Sequence, residues 1–158
     1  VLEEEGIVLE SSTRFLEPLL ATPGCMTRRA PDERERRDLD YGFEVARHLA
    51  AMDIGQSVVI AARACVAAEA MEGTDAIIRR AADIAGGRPL TVVKVAKPKQ
   101  DLRFDVPVIG PATIAAMRAA GATALGVESG ITLMLERDAC LAAADEAGIA
   151  IEGRPAGQ

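Results

Sequence analysis

The spacing of hydrophobic positions changes along the chain, and each change marks an element. From residue 32 to about residue 52 apolar side chains recur at helical spacing, with Leu39, Phe43, Ala46, Leu49 and Ala50 on one face. Pro31 precedes this stretch and acids fill its first turn, both signals of a helix start. The run DERERRD reads as the solvated start of that helix, not as a binding patch. Residues 57–60 and 65–70 are short β runs that can close a hairpin over 61–64, where no strong turn residue stands. A helix over 75–85 ends at Gly86-Gly87, and 90–95 is a β-branched strand. Residues 111–120 form a helix with proline first and Gly121 after it. Strands are predicted over 124–127 and 131–135, around Ser129-Gly130. A helix over 137–147 closes at Gly148, and 149–151 is a last strand. Ahead of all this, 7–10 is a short strand candidate. Residues 11–31 carry Pro18, Pro23, Gly24 and Pro31 without periodicity and read as a connecting loop. The ending GRPAGQ, 153–158, reads as a disordered tail.

Strands and helices alternate through the second half, which predicts an α/β layered domain over 32–152, a mixed β-sheet flanked by helices. Neither internal repeats nor low-complexity stretches stand out. The opening VLEEEGIVLESS reads as the end of a helix running into a strand. Residues 1–31 are therefore expected to be the end of an N-terminal domain and a linker, with most of that domain absent from the chain.

Composition narrows the function. The chain has 158 residues, 49% hydrophobic and 27% charged, a globular profile able to bury one sizeable core. Aromatics are only 3%, so the core must be aliphatic, and base stacking on single-stranded nucleic acid is disfavoured. A net charge of −6 also argues against a nucleic-acid binder, so any anionic ligand needs a local basic patch. Cys25, Cys65 and Cys140 are far apart and in no metal-ligand spacing, which reads as reduced cysteines in a cytoplasmic protein. Apolar runs fall short of membrane-spanning length, Arg63 and Glu69 breaking the longest.

The basic patch exists. All three lysines, Lys94, Lys97 and Lys99, fall within six residues of TVVKVAKPKQDLRFDVPVIGP, while the fifteen arginines are scattered. An ammonium is a compact point charge suited to a phosphate or carboxylate. Here it sits where a strand runs into a loop and then a helix, the place where α/β folds hold ligands. An accidental cluster on an exposed loop is the bland alternative. Asp105 follows the lysines and Arg103, in an extended segment set by Pro107. A carboxylate among cations suits a metal ligand or a water-orienting base, or else a surface salt bridge of little worth. In Glu72-Gly73-Thr74-Asp75, Thr74 or Asp75 can cap the following helix. The same tetrapeptide offers Gly73 for close approach, a helix N-terminus for a phosphate, and Asp75 for a divalent cation. In Asp53-Ile54-Gly55-Gln56 the glycine reads as a helix stop, and Gln56 as a possible hydrogen-bond partner of a ligand. His48, the single histidine, has no nucleophile near it in sequence and reads as an ordinary helix residue.

Three blocks together carry a resemblance: AEAMEGTDAIIRRA, VVKVAKPKQDLRFDVPVIGP and ATIAAMRAAGATALGVESGITLMLERD. They resemble the C-terminal domain of the LpxI-type UDP-2,3-diacylglucosamine diphosphatases of bacterial lipid A synthesis. RRAPDERERRDLDYGFEVARHLAAMDIGQSVVI is similar to that family's helix and strand entry, so the likeness covers most of the chain in order. It implies hydrolysis of UDP-2,3-diacylglucosamine to UMP and 2,3-diacylglucosamine 1-phosphate with a divalent cation, typically magnesium. It also implies two domains with the lipid-linked nucleotide sugar between them, so 32–152 is the catalytic-type domain. Asp105 matches the family's essential aspartate and is expected to be catalytic and, with Asp75, to hold the metal. Gln56, Glu72, Gly73, Thr74, Lys94, Lys97 and Arg103 are expected to bind substrate, Lys97 meeting the phosphate from the loop. Val108 and Ile131 stand where the family often has threonine and arginine. The expected setting is the cytoplasm, at the inner face of the inner membrane, with at most peripheral membrane contact. A homodimer is expected, because few aromatics leave apolar surface to cover. A non-enzymatic α/β module that binds a nucleotide or sugar phosphate and mediates dimerisation is the alternative, and a structural partner-binding domain a third.

Overall fold

The computed structural model describes residues 5–6, 10–11, 13–98 and 105–156. Among these the elements run β1 (Gly24–Cys25), α1 (Glu33–Ala51), β2 (Ser57–Ala61), β3 (Ala64–Ala68), α2 (Thr74–Ala85) and β4 (Leu90–Lys94). They continue with β5 (Val108–Ile109), α3 (Pro111–Ala119), β6 (Ala122–Ser129), β7 (Leu133–Met134), α4 (Arg137–Glu146) and β8 (Ala150–Pro155). Six strands form one sheet in the order β1-β8-β6-β4-β2-β3, and β5 pairs with β7 apart from it. The central strands β4, β6 and β8 are parallel, while β2 runs antiparallel to both neighbours and β1 antiparallel to β8. This is the α/β layered fold with a mixed sheet that the alternation of periods predicts.

Strand alternation divides the core between the two faces of the sheet. Val58, Ile60, Val93 and Val95 meet Leu39, Phe43, Ala46 and Ala50 of α1 on one face. Val59, Ala61, Val92, Leu125, Val127 and Ile151 pack on the other with Ile77 and Ile78 of α2, Ile114 and Met117 of α3 and Ala144 of α4. Every residue of β2 and β4 is buried, which fits their apolar middles, Val58 to Ala61 and Val92-Val93, and leaves Ser57, Thr91 and Lys94 as buried polar groups. None of the helices described is long and apolar enough to cross a membrane.

Several expectations are corrected. The supposed loop 11–31 contains β1, and Leu20 forms a bridge to Leu133. The supposed tail is strand as far as Pro155, paired with β6 through Ser129↔Pro155. Proline is tolerated there because it ends the strand beyond the reach of β1. The strand expected over 131–135 shrinks to β7, since its partner β5 is only two residues long. The charged run opening α1 is not simply solvated. Helical spacing puts Glu35 and Asp38 on the buried side, each 1% exposed. Arg29 holds Glu35 through Nη1 at 2.7 Å and Nη2 at 3.0 Å, and the Asp32 capping box closes the helix start. The strand candidate 7–10 falls largely outside the described residues.

The hairpin β2–β3 turns on Ala62 and Arg63, both left-handed at φ 49° and 59°. That geometry suits the twist of a two-residue hairpin but disfavours any side chain with a Cβ. Asp38 compensates: its Oδ1 accepts from the Arg63 amide at 2.7 Å. Replacing Ala62-Arg63 by Asn-Gly keeps that amide and is expected to stabilise the fold by about 1 kcal/mol, read as a higher urea midpoint at unchanged slope.

Candidate functional site

Three chain segments meet where β4 ends. Antiparallel pairing brings Ser57, at the start of β2, opposite Lys94. α2 begins beside them, and β5 leads into α3 on the far side. The loop before α2, α2 itself, β4, β5 and α3 wall a cleft of about 380 Å³. The loop before α2 gives it Glu72 and Gly73, α2 itself Thr74, Asp75, Ala76 and Arg79, and β4 gives Lys94. Val108 of β5 and Thr113 in the first turn of α3 complete the wall. Neither helix start is capped by a side chain. Gly73 is the N-cap of α2, with φ 87° and ψ 157°, a region almost closed to other residues. The capping role considered for Thr74 or Asp75 is therefore not taken up, and the free end of α2 faces the cleft. A helix start with open amides favours an anion.

Lys94 is the buried charge of this site, 8% exposed. Its position in a strand whose Val93 and Val95 face α1 turns it to the opposite face. Nζ donates to Thr74 Oγ1 at 2.9 Å. Thr74 Oγ1 in turn lies 3.1 Å from Ser57 Oγ and donates to Glu69 Oε1 at 3.3 Å. Burial pushes the Lys94 ammonium below the ordinary lysine value of 10.5, and the charges of Glu69, Asp75 and Asp105 oppose that shift. With the folded value depressed, the folded state carries a penalty while the lysine is charged in both states. As pH rises from the folded value toward 10.5 the unfolded chain binds the extra proton, so stability rises. Lys94→Met is expected to remove that rise. Chemical unfolding at a series of alkaline pH values would show it, and an identical pH slope in the variant would count against a desolvated lysine.

The remaining candidates are placed as follows. Glu72 staples the loop: it accepts from the Ala70 amide at 2.9 Å and from Arg80 at 2.7 Å. Bonds from its own amide and that of Ala70, and then Arg80, hold its carboxyl down to about 2. Asp105 is exposed and acts on Lys94 and Lys97 through its charge. Lys97 turns to Asp53, with Nζ 2.6 Å from Oδ1, and does not line the cleft. Gln56 lies beside Ser57, outside the cleft lining; its carbonyl accepts from Val95, and its side-chain Oε1 is buried without a partner. Gly55 is not the helix stop. Asp53 takes the left-handed position at φ 56°, while a Cβ on Gly55 would stand 1.9 Å from the Glu69 carbonyl oxygen. Arg103 and Lys99 lie outside the described residues. His48 is an exposed helix residue bonded to the Glu44 carbonyl.

Residues 22–152 match the family model described as the LpxI C-terminal domain. The chain belongs to the LpxI family. It is 35% identical over 158 residues to the UDP-2,3-diacylglucosamine pyrophosphatase LpxI of Caulobacter vibrioides, an alignment covering 96% of this chain. The same alignment covers 56% of that relative, so the chain spans little more than half its length. The LpxI match takes in β1, the cleft and the first half of β8, as far as residue 152.

Arg79 of this LpxI cleft was not among the expected site residues, and neither was Glu69 next to it, although capping leaves Glu69 unexplained. Arg79 lines the cleft with its Nε held by the Asp75 carbonyl at 3.1 Å. Its signal was available, four residues after Asp75 on the same helix face. Glu69 sits behind Lys94, 8% exposed, with Oε2 buried and unpartnered. Its place five residues before Thr74 gives no hint of that, because only the turn at Gly73 brings the two together.

Proposed function

We propose that this chain is the C-terminal part of an enzyme that hydrolyses UDP-2,3-diacylglucosamine to UMP and 2,3-diacylglucosamine 1-phosphate. An N-terminal domain would close the site over the substrate. The observation that carries the reading is the cleft at the end of β4. There a buried ammonium, a guanidinium and two uncapped helix starts surround a space edged by carboxylates. Splitting a pyrophosphate requires negative charge on the non-bridging oxygens to be met and a water to be aimed in line. Lys94 and Arg79 meet that charge from two sides, Lys94 as a point charge and Arg79 as a planar fork. The open amides of α2 add donors that need no reorganisation. Asp105, just beyond the cleft wall and within electrostatic reach of Lys94, orients the water.

The donor set also fits a divalent cation of the magnesium kind. Asp75 and Asp105 are hard oxygen donors whose charges both act on Lys94. Such an ion takes one or two carboxylates and draws its other ligands from substrate phosphates and water. Among the described residues no three His, Cys, Asp or Glu side chains gather, so phosphates would complete the coordination. When bound, the ion supplies further charge neutralisation and a more acidic water.

The test is UMP release from UDP-2,3-diacylglucosamine, by this chain alone and by the chain joined to an LpxI N-terminal domain. Release by the joined protein, lost on chelation, is the expected result. A joined protein that binds the nucleotide sugar yet releases no UMP under any divalent cation would establish the binding-module reading instead.

A further inference from the structure

Thr74 has one hydroxyl proton and two lone pairs, and the protein uses all three. The Lys94 ammonium can only donate, so it occupies one lone pair, at 2.9 Å. The carboxylate of Glu69 accepts, so it takes the proton, at 3.3 Å. Ser57, at 3.1 Å, then donates into the second lone pair. Nothing remains on this hydroxyl for a ligand, although Thr74 lines the cleft. Lys94 differs: it has three donors, of which Thr74 takes one. The chain of bonds therefore runs from Glu69 through Thr74 to a lysine that lines the cleft and has two further donors. All four groups are at least nine-tenths buried, with Ser57 1% and Thr74 9% exposed. In such surroundings a side chain without a partner is costly, so the direction of each bond is strongly enforced.

We infer that Glu69 is a positioning residue, acting through Thr74 to aim the Lys94 ammonium into the cleft. Glu69 touches no ligand itself. It fixes the Thr74 proton, which leaves the Thr74 lone pair pointing at Nζ, and that holds one of the many rotamers open to a lysine. The expectation for Thr74 changes accordingly, from substrate contact to the hinge of this seat. The inference rests on the reading of the cleft as a pyrophosphate site only for its effect on binding. The seat itself is a property of the fold.

The experiment is a double-mutant cycle on the affinity of the chain for inorganic pyrophosphate, measured by calorimetry. Glu69→Ala and Thr74→Val are each expected to weaken binding about tenfold or more, and the double variant no further, because both cut one chain of bonds. Thr74→Ser, which keeps the hydroxyl, is expected to restore most of the loss. Additive losses, or Thr74→Val binding as wild type does, would overturn the inference. Should Glu69→Ala fail to fold, Thr74→Val and Thr74→Ser decide alone. A second readout needs no ligand. With three lysines in the chain, the Lys94 Cε protons are readily assigned by NMR. Held in one rotamer they are inequivalent; in Thr74→Val and Glu69→Ala they are expected to merge. If wild type binds no pyrophosphate, the reading of the cleft fails while this signature still judges the seat, and inequivalence that survives both substitutions would refute it.

Discussion

Asp105→Asn, in the chain joined to an LpxI N-terminal domain, is expected to slow UMP release by about a thousandfold or more while the fold is kept. Asparagine has nearly the same shape and keeps one oxygen, so only the charge and the second acceptor are lost. That is enough if the carboxylate orients the attacking water or helps hold a divalent cation, either of which accounts for several kcal/mol of barrier at about 1.4 kcal/mol per tenfold. Exposure of Asp105 makes a stability effect above about 0.5 kcal/mol unexpected. The unfolding midpoint should therefore stay where it is while the rate collapses. A variant with near wild-type turnover would remove Asp105 from the chemistry and leave Lys94, Arg79 and the helix ends as a binding site only.

Gly55→Ala is the substitution expected to damage the fold and the cleft together. The added methyl would stand 1.9 Å from the carbonyl oxygen of Glu69 and 2.6 Å from its carbonyl carbon. Neither is the flexible end of a side chain, so backbone must move. Glu69 is tied to β2 by its amide, which donates to the Ser57 carbonyl at 2.9 Å. Pushing it away pulls on the strand that carries Ser57 and on the carboxylate that Thr74 donates to. Overpacking of this kind costs about 1–3 kcal/mol, and backbone contact puts Gly55 at the upper end. Urea unfolding would measure the loss. An unchanged midpoint would mean that the loop 52–56 yields freely, and the close approach would then have no structural weight.

How much of this was legible in the sequence depended on how locally each feature is determined. α1, α2, α3 and α4 announce themselves by apolar spacing and by prolines and glycines at their ends. β2, β4 and β6 do so by runs of β-branched and small residues. What sequence hides is pairing over distance. Gly24–Cys25 becomes a strand only because Gly153 and Glu152 lie beside it. β5 is a two-residue strand because β7 is there to receive it. Gly153 and Pro155 look like breakers until the parallel ladder to β6 is seen to run through them. The candidate site divides in the same way. Motif and spacing brought out Glu72 to Asp75 and the lysines, and five of those residues line one cleft. Direction was not legible. Lys97 lies nearer the loop, yet Lys94 is the one the cleft receives. Thr74 looked like a cap and is turned instead toward Lys94, and Glu69 stood close to the motif without a role that its position could reveal.

The pairing of β1 with β8 has a consequence for synthesis. β8 lies between β1 and β6, so β1 has nothing to pair with until the final strand has been made. A ribosome delivers the N-terminal side first, and contacts so far apart in sequence close slowly. β2, β3, β4 and β6 can assemble with α1, α2 and α3 while Gly24 and Cys25 wait as an unpaired segment. The carboxyl end of this domain is in effect the latch of its amino end: only when Glu152 and Gly153 emerge is the first strand locked in.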